Sequence, residues 1–130
     1  MSRVVLGDNK ITQKYSSSHK GVDIGYKGGN NDYILAHSDG VIINAVSGKK
    51  NNLKAKGNET YGNYIKIKHY NGYYTLYAHL NDVFVKPGEK VIKGQKIGYM
   101  GNSGKAYGKH LHFEVRNTKN KRINPTKYVY

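Results

Sequence analysis

Near its end the chain carries the run Lys109-His110-Leu111-His112-Phe113-Glu114-Val115, with two histidines two residues apart. In an extended strand successive side chains point to opposite faces, so His110 and His112 share one face. Leu111, Phe113 and Val115 turn to the other, towards a core. Two adjacent imidazoles are costly to bury without partners, but they suit a metal ion. About ninety residues earlier, His19 and Asp23 add a nitrogen and an oxygen donor four positions apart. Three such donors and a water make a catalytic zinc site, whereas a structural site closes all four positions with protein. Zinc in such a set is a Lewis acid towards a carbonyl and lowers the pKa of its water towards ~7. An imidazole beside it, titrating near neutrality, can take that proton and pass it to a leaving amine.

The elements that must hold these groups are short strands. Sixteen Gly, thirteen Tyr and no sustained helical periodicity point to an all-β chain of antiparallel strands and tight turns. At 130 residues with 37% hydrophobic content, the chain is expected to form one domain, 1–130, around a thin core. Tyr64 to Lys68 alternates strictly, Asn71-Gly72 is the strongest hairpin signal, and Tyr73 to Leu80 returns carrying His79. Asp39-Gly40 turns into the apolar run Val41 to Ile43, and short strands are expected at Lys90–Ile92 and Gln95–Met100. Ser47 to Thr60 reads as an exposed loop, and Gly101 to Gly108 as a glycine-rich loop delivering the chain to His110. Asn124-Pro125 reads as a terminal turn. His37 and His69 fall outside the clustered motifs and are expected to be ordinary hydrogen-bonded or exposed histidines.

Twenty-two Lys and Arg against eight Asp and Glu give a net charge of +14, which favours polyanionic surroundings. Nucleic acid, a membrane surface and an anionic cell wall all fit that number, and so does plain solubility for a Tyr-rich β-protein. The absence of Cys removes disulfides and thiolate metal sites. No apolar run reaches the roughly 18 residues of a membrane helix, and Met1 to Asp8 lacks the apolar segment of a secretory signal. Membrane insertion is therefore not expected, and either the chain is an excised domain or it leaves its cell without using a signal.

Four blocks occur in order: His19-x-Gly21-x-Asp23, Tyr77-Ala-His79-Leu80, Val91-x-x-Gly94-Gln95-x-Ile97-Gly98 and His110-Leu-His112-Phe-Glu114. Together, over about Ile11 to Tyr128, they resemble the M23 family of zinc metallopeptidases, the lysostaphin/LytM-type peptidoglycan endopeptidases. The resemblance implies a compact antiparallel β-fold of duplicated hybrid motif type, with a groove holding one zinc ion per chain. It implies that His19, Asp23 and His112 are the metal ligands and that His79 and His110 are catalytic and do not ligate. It also implies hydrolysis of stem or cross-bridge peptides of peptidoglycan at the bacterial cell wall, by a monomer, without specific nucleic-acid binding. Attraction to anionic wall polymers would follow from the charge, and for such a wall enzyme the missing signal favours a phage source, as a lysis enzyme or a virion domain. On this reading His110 is the base and His79 donates to, or orients, the tetrahedral intermediate, the two roles being open to exchange, and Glu114 either fixes the tautomer of a ligand imidazole or pairs with a surface Lys.

The family's Phe-Gly-x-Arg stretch before the first His is missing; Gln13-Lys14-Tyr15 stands nearest, with Tyr15 as the closest analogue of a groove aromatic. Lys49 to Thr60 resembles an enlarged loop at the groove border. Two other functions compete: an inactive wall-binding or activator module of the same fold, and a basic carrier or nucleic-acid-binding module. For the carrier, Val85 to Gly98 resembles part of a biotinyl or lipoyl domain, a reading that leaves the clustered histidines unused.

Overall fold

Residues 2–129 are described by a computed structural model, and their regular structure is a single connected ten-stranded antiparallel sheet. The strands are β1 (Ile11–Gln13), β2 (Val22–Gly25), β3 (Tyr33–Leu35), β4 (Gly40–Val46) and β5 (Asn63–His69). They continue with β6 (Tyr74–Val83), β7 (Lys90–Val91), β8 (Lys96–Met100), β9 (His110–Arg116) and β10 (Arg122–Ile123). The main path runs β1-β2-β9-β6-β5-β4-β7, with β10 on β9 and a branch from β6 through β8 to β3. Beyond the strands, the only helical segments among the described residues are 3-10 turns at Gly29–Asp32 and Gly57–Tyr61. None of these is long and apolar enough to cross a membrane.

The alternation expected for β9 is present. Leu111, Phe113 and Val115 are at most 2% exposed and pack with Val22, Ile65 and Tyr77. Each such side chain contributes about 1.5–3 kcal/mol when fully buried. This apolar face fixes the register of β9, because a one-residue slip would exchange core and histidine faces. The β5–β6 hairpin closes at Asn71-Gly72, where Gly72 has φ +85° and the Asn71 side chain accepts from the Tyr73 amide at 3.0 Å.

Some elements differ from the sequence expectation. β6 runs past Leu80 to Val83 because it acquires a second partner, β8, through Leu80↔Met100 and Val83↔Gly98. The polar segment after Ser47 is tied down: Asn51 donates to the carbonyls of Asn102 and Ala106, both at 2.8 Å, and Ala55 is buried. The close backbone crossing of Gly62 and Gly104, with φ +62° and +71°, leaves no room for a side chain at either position. The chain also adds a two-residue strand, β10, just before the terminal turn at Pro125.

His37 and His69 lie outside the groove. The His37 ring stacks on Phe113 at 6.2 Å, and its Nε2–H donates to the Tyr128 carbonyl at 2.7 Å. His69 donates from Nδ1 to the Asp39 carbonyl at 3.0 Å and accepts from Thr75 at 2.7 Å. Both are satisfied hydrogen-bonding residues, His69 buried and His37 half-buried.

Candidate metal centre

The sheet register brings the separated donors together. β2 pairs with β9 so that Asp23 stands opposite His112 and Gly25 opposite His110. Residues directly opposite in an antiparallel pair project to the same face. His19 reaches the same place from a tight turn in which Ser16 and His19 exchange backbone hydrogen bonds of 2.9 and 3.2 Å. One donor atom from each of His19, Asp23 and His112 lies within 4.8 Å of the others. Asp23 Oδ1 is 3.3 Å from His19 Nε2 and 3.0 Å from His112 Nδ1.

These residues fit a zinc ion on a specific observation. His19 Nε2 is buried and has no hydrogen-bond partner, although a carboxylate oxygen lies beside it. A buried acceptor without a partner costs about 1–3 kcal/mol, and a cation between nitrogen and carboxylate removes that cost. Two imidazole nitrogens and one carboxylate oxygen are an ordinary donor set for catalytic zinc.

A second layer sets the tautomer. His112 Nε2–H donates to Glu114 Oε2 at 2.9 Å, which leaves Nδ1, facing Asp23 Oδ1, as the ring nitrogen that can ligate once it gives up its proton. Glu114 is fully buried, accepts from the Tyr61 hydroxyl at 2.6 Å, and pairs with the Arg116 guanidinium at 2.9 Å. Burial alone would lower the pKa of His112, but hydrogen bonds and charge from Asp23 and Glu114 outweigh it and push it up to about 9. Burial works against ionising Glu114 and Asp23, yet the hydrogen bond each makes to His112 holds both below the usual carboxylate range.

Gly21 is required by close approach. A Cβ there would lie 2.7 Å from His112 Cε1 and 2.7 Å from the Phe113 carbonyl oxygen. Gly21→Ala is expected to displace the His112 ring and weaken zinc binding by about tenfold or more, the range for disturbed ligand support. Competition with a chromophoric chelator measures this; wild-type affinity would refute the packing argument.

His79 and His110 stand beside the donor cluster, their rings 4.9 Å apart. At His79, β6 exchanges partners: Ala78 pairs with His112 on β9, whereas Leu80 pairs with Met100 on β8. The switch is made at φ +64°, a left-handed conformation that costs a side-chain-bearing residue on the order of 1–3 kcal/mol. It turns the imidazole into the groove, where Nδ1–H donates to the Ser103 carbonyl at 2.8 Å. Burial, aided by the charges of His110 and His112, drives the pKa of His79 down to about 4, so it is neutral with Nε2 as an acceptor. His110 Nδ1–H donates to the Gly108 carbonyl at 2.9 Å, and its Nε2 lies 3.7 Å from Asp23 Oδ2.

The five histidine and aspartate positions line one groove of about 1040 Å³. Tyr61, Tyr26 and Tyr107 are its aromatic residues; Tyr15 packs against the core instead. Tyr61, stacked on His112 at 6.1 Å, and Arg122 in the groove wall were not singled out from the sequence. Arg116 could have been found by extending the alternation His112, Glu114 one further step. Tyr61 sits in an aperiodic polar loop and carries no such signal.

Comparison with known proteins identifies relatives of this chain and of its fold. A sequence model described as peptidase family M23 matches residues 17–125. The peptidoglycan DD-endopeptidase ShyA of Vibrio cholerae is 52% identical over 54 residues, which are 42% of this chain and 13% of that protein. The murein hydrolase activator NlpD of Salmonella dublin is 34% identical over 125 residues, 94% of this chain and 30% of that protein. A zinc-containing peptidase from Vibrio cholerae has a similar structure, with TM-score 0.77 at 28% identity, over 95% of this chain and 38% of that one. The chain thus spans less than a third of the length of the two curated relatives.

Proposed function

This chain belongs to peptidase family M23, and from that premise we propose that it is a zinc-dependent endopeptidase acting on the peptides of peptidoglycan at the bacterial cell wall. The observation that carries the proposal is the convergence of His19, Asp23 and His112, with two further imidazoles beside them in an open groove. His19 Nε2, Asp23 Oδ1 and His112 Nδ1 are the atoms that would hold one zinc ion per chain. Bound there, zinc supplies Lewis-acid polarisation of a scissile carbonyl and acidifies a water molecule.

The protein's own groups do the rest. Glu114 holds the Nε2–H of His112, so that Nδ1 is the ring nitrogen left to ligate, and Tyr61 and Arg116 keep Glu114 in place. His110, anchored through Nδ1–H to Gly108, presents Nε2 as the base and later returns the proton to the leaving amine. His79 orients the attacking water as a hydrogen-bond acceptor, because its Nδ1–H is committed to Ser103 and burial keeps it neutral. Of the two roles left open for His79 by the sequence, orientation suits this tautomer better than donation.

A second reading, an inactive activator module, takes support from the similarity to the murein hydrolase activator. The complete set of His19, Asp23, His79, His110 and His112 in one groove favours catalysis. Turbidity of purified cell walls decides. Clearance should stop after dialysis against a chelator and return with added zinc, and mass spectrometry should find newly freed amines and carboxylates. Walls left intact by the zinc-loaded protein would favour the activator reading.

A further inference from the structure

The groove carries more positive charge than its catalytic groups use. Asp23 and Glu114 are the acids among its lining residues, and both are spent internally, one on three histidines and the other on His112, Tyr61 and Arg116. Four cations also line it: Lys20, Lys105, Lys109 and Arg122. Lys109 answers the buried Asp32 at 3.5 Å. Lys20 lies over the Tyr15 ring at 5.3 Å, a contact that leaves its charge uncompensated.

Arg122 is the most informative of these. β10 pairs with β9 so that Arg122 stands directly opposite Arg116. Like charges in that relation are destabilising. Glu114 neutralises Arg116 at 2.9 Å, and no acid among the described residues pairs with Arg122. The row continues on the same sheet face: Arg116 is opposite Tyr74 of β6, which is opposite Lys68 of β5. Lys66 lies over the Tyr74 ring at 4.8 Å. His112 and Glu114 alternate on this face one strand step from Arg116, so the cationic row is continuous with the proposed metal centre. Glu114 is committed to Arg116, so Arg122 is the arginine of this facing pair whose charge is left for a bound anion.

We propose that Arg122 forms a carboxylate subsite at the β10 end of the groove, and that the substrate is a peptide with a free carboxylate on that side of the scissile bond. This deepens the endopeptidase reading and rests on it. A planar guanidinium matches a carboxylate bidentately, and a low-acid groove concentrates anionic substrates. Stem peptides with free side carboxylates fit such a subsite. Their amidated forms and plain oligoglycine bridges offer it nothing.

The test uses soluble cross-linked stem peptides in two forms, side carboxylates free or amidated. With zinc-loaded protein carrying His110→Ala to slow turnover, calorimetry should show the free acid binding about tenfold tighter, the scale of a charge-assisted hydrogen bond at a partly exposed site. With otherwise wild-type protein, kcat/KM should show the same preference. Arg122→Gln should abolish it in both measurements, and Arg122→Lys should restore part; Arg122 is exposed on a two-residue strand, so neither change threatens folding. Equal binding of the two forms, or an undiminished preference in Arg122→Gln, overturns the subsite. A binding preference without cleavage of either form would instead overturn the endopeptidase reading and leave the subsite standing.

Discussion

His112→Ala is expected to remove zinc and hydrolysis together, with metal content falling from about one ion per chain to near zero. His112 is the residue on which the two layers of the site meet. Its Nδ1 lies 3.0 Å from Asp23 and its Nε2 2.9 Å from Glu114, so the substitution deletes a ligand and strands two partly or fully buried carboxylates. Removing one partner from a buried charge pair costs on the order of 3–5 kcal/mol, so a lower melting temperature should accompany the loss of metal. Elemental analysis of protein purified without chelators measures the first effect and thermal denaturation the second. Stoichiometric zinc in the variant would refute the ligand assignment.

The same residue gives the pH dependence its sign. In metal-free protein the His112 pKa is raised from 6.5 to about 9. Its contribution to stability is therefore complete below about 6.5 and is lost as pH rises through about 9. Zinc binding has the opposite dependence, because the ion must displace the proton that Asp23 and Glu114 hold on the ring. Zinc affinity should fall about tenfold per pH unit below about 9 while this proton is being displaced, and proton release on zinc addition at neutral pH should be measurable.

How much of this was readable in advance follows from the physics of each signal. β9 was legible because its two faces differ in chemistry at every step from His110 to Val115. The β5–β6 hairpin was legible because Asn71-Gly72 permits the positive φ that the turn requires. The pairing Asp23↔His112 is a contact across 89 residues, and nothing local to either residue encodes it; its anticipation came from four ordered blocks resembling a known family. Three features gave no warning. The partner exchange of β6 at His79 depends on where β8 docks. The anchoring of Tyr61 on Glu114 depends on how an aperiodic loop folds back. β10 is two residues long, and neither it nor its arginine pair shows periodicity. Glu114 lies between these cases: its face was set by alternation, but full burial and the Arg116 pair came from the packing around it.

His110→Ala is expected to leave zinc in place and reduce kcat by about 10²- to 10⁴-fold, the usual range for loss of a general acid–base group. The side chain contributes no atom to the cluster formed by His19, Asp23 and His112. Its backbone position is held by pairing with Gly25 and by the hydrogen bond that its backbone N–H donates to the Gly101 carbonyl at 3.1 Å, neither of which alanine disturbs. KM should change little, because the loss falls on proton transfer rather than on substrate contacts. A conservative replacement separates this role from that of its neighbour. With zinc in excess, His79→Gln should retain more of the rate than His110→Gln, because glutamine still accepts a hydrogen bond, as neutral His79 does, but cannot take a proton as His110 must. The reverse order of activities would exchange the two assignments. Loss of zinc in His110→Ala would dissolve the division between ligand and base on which the β9 histidine pair is read.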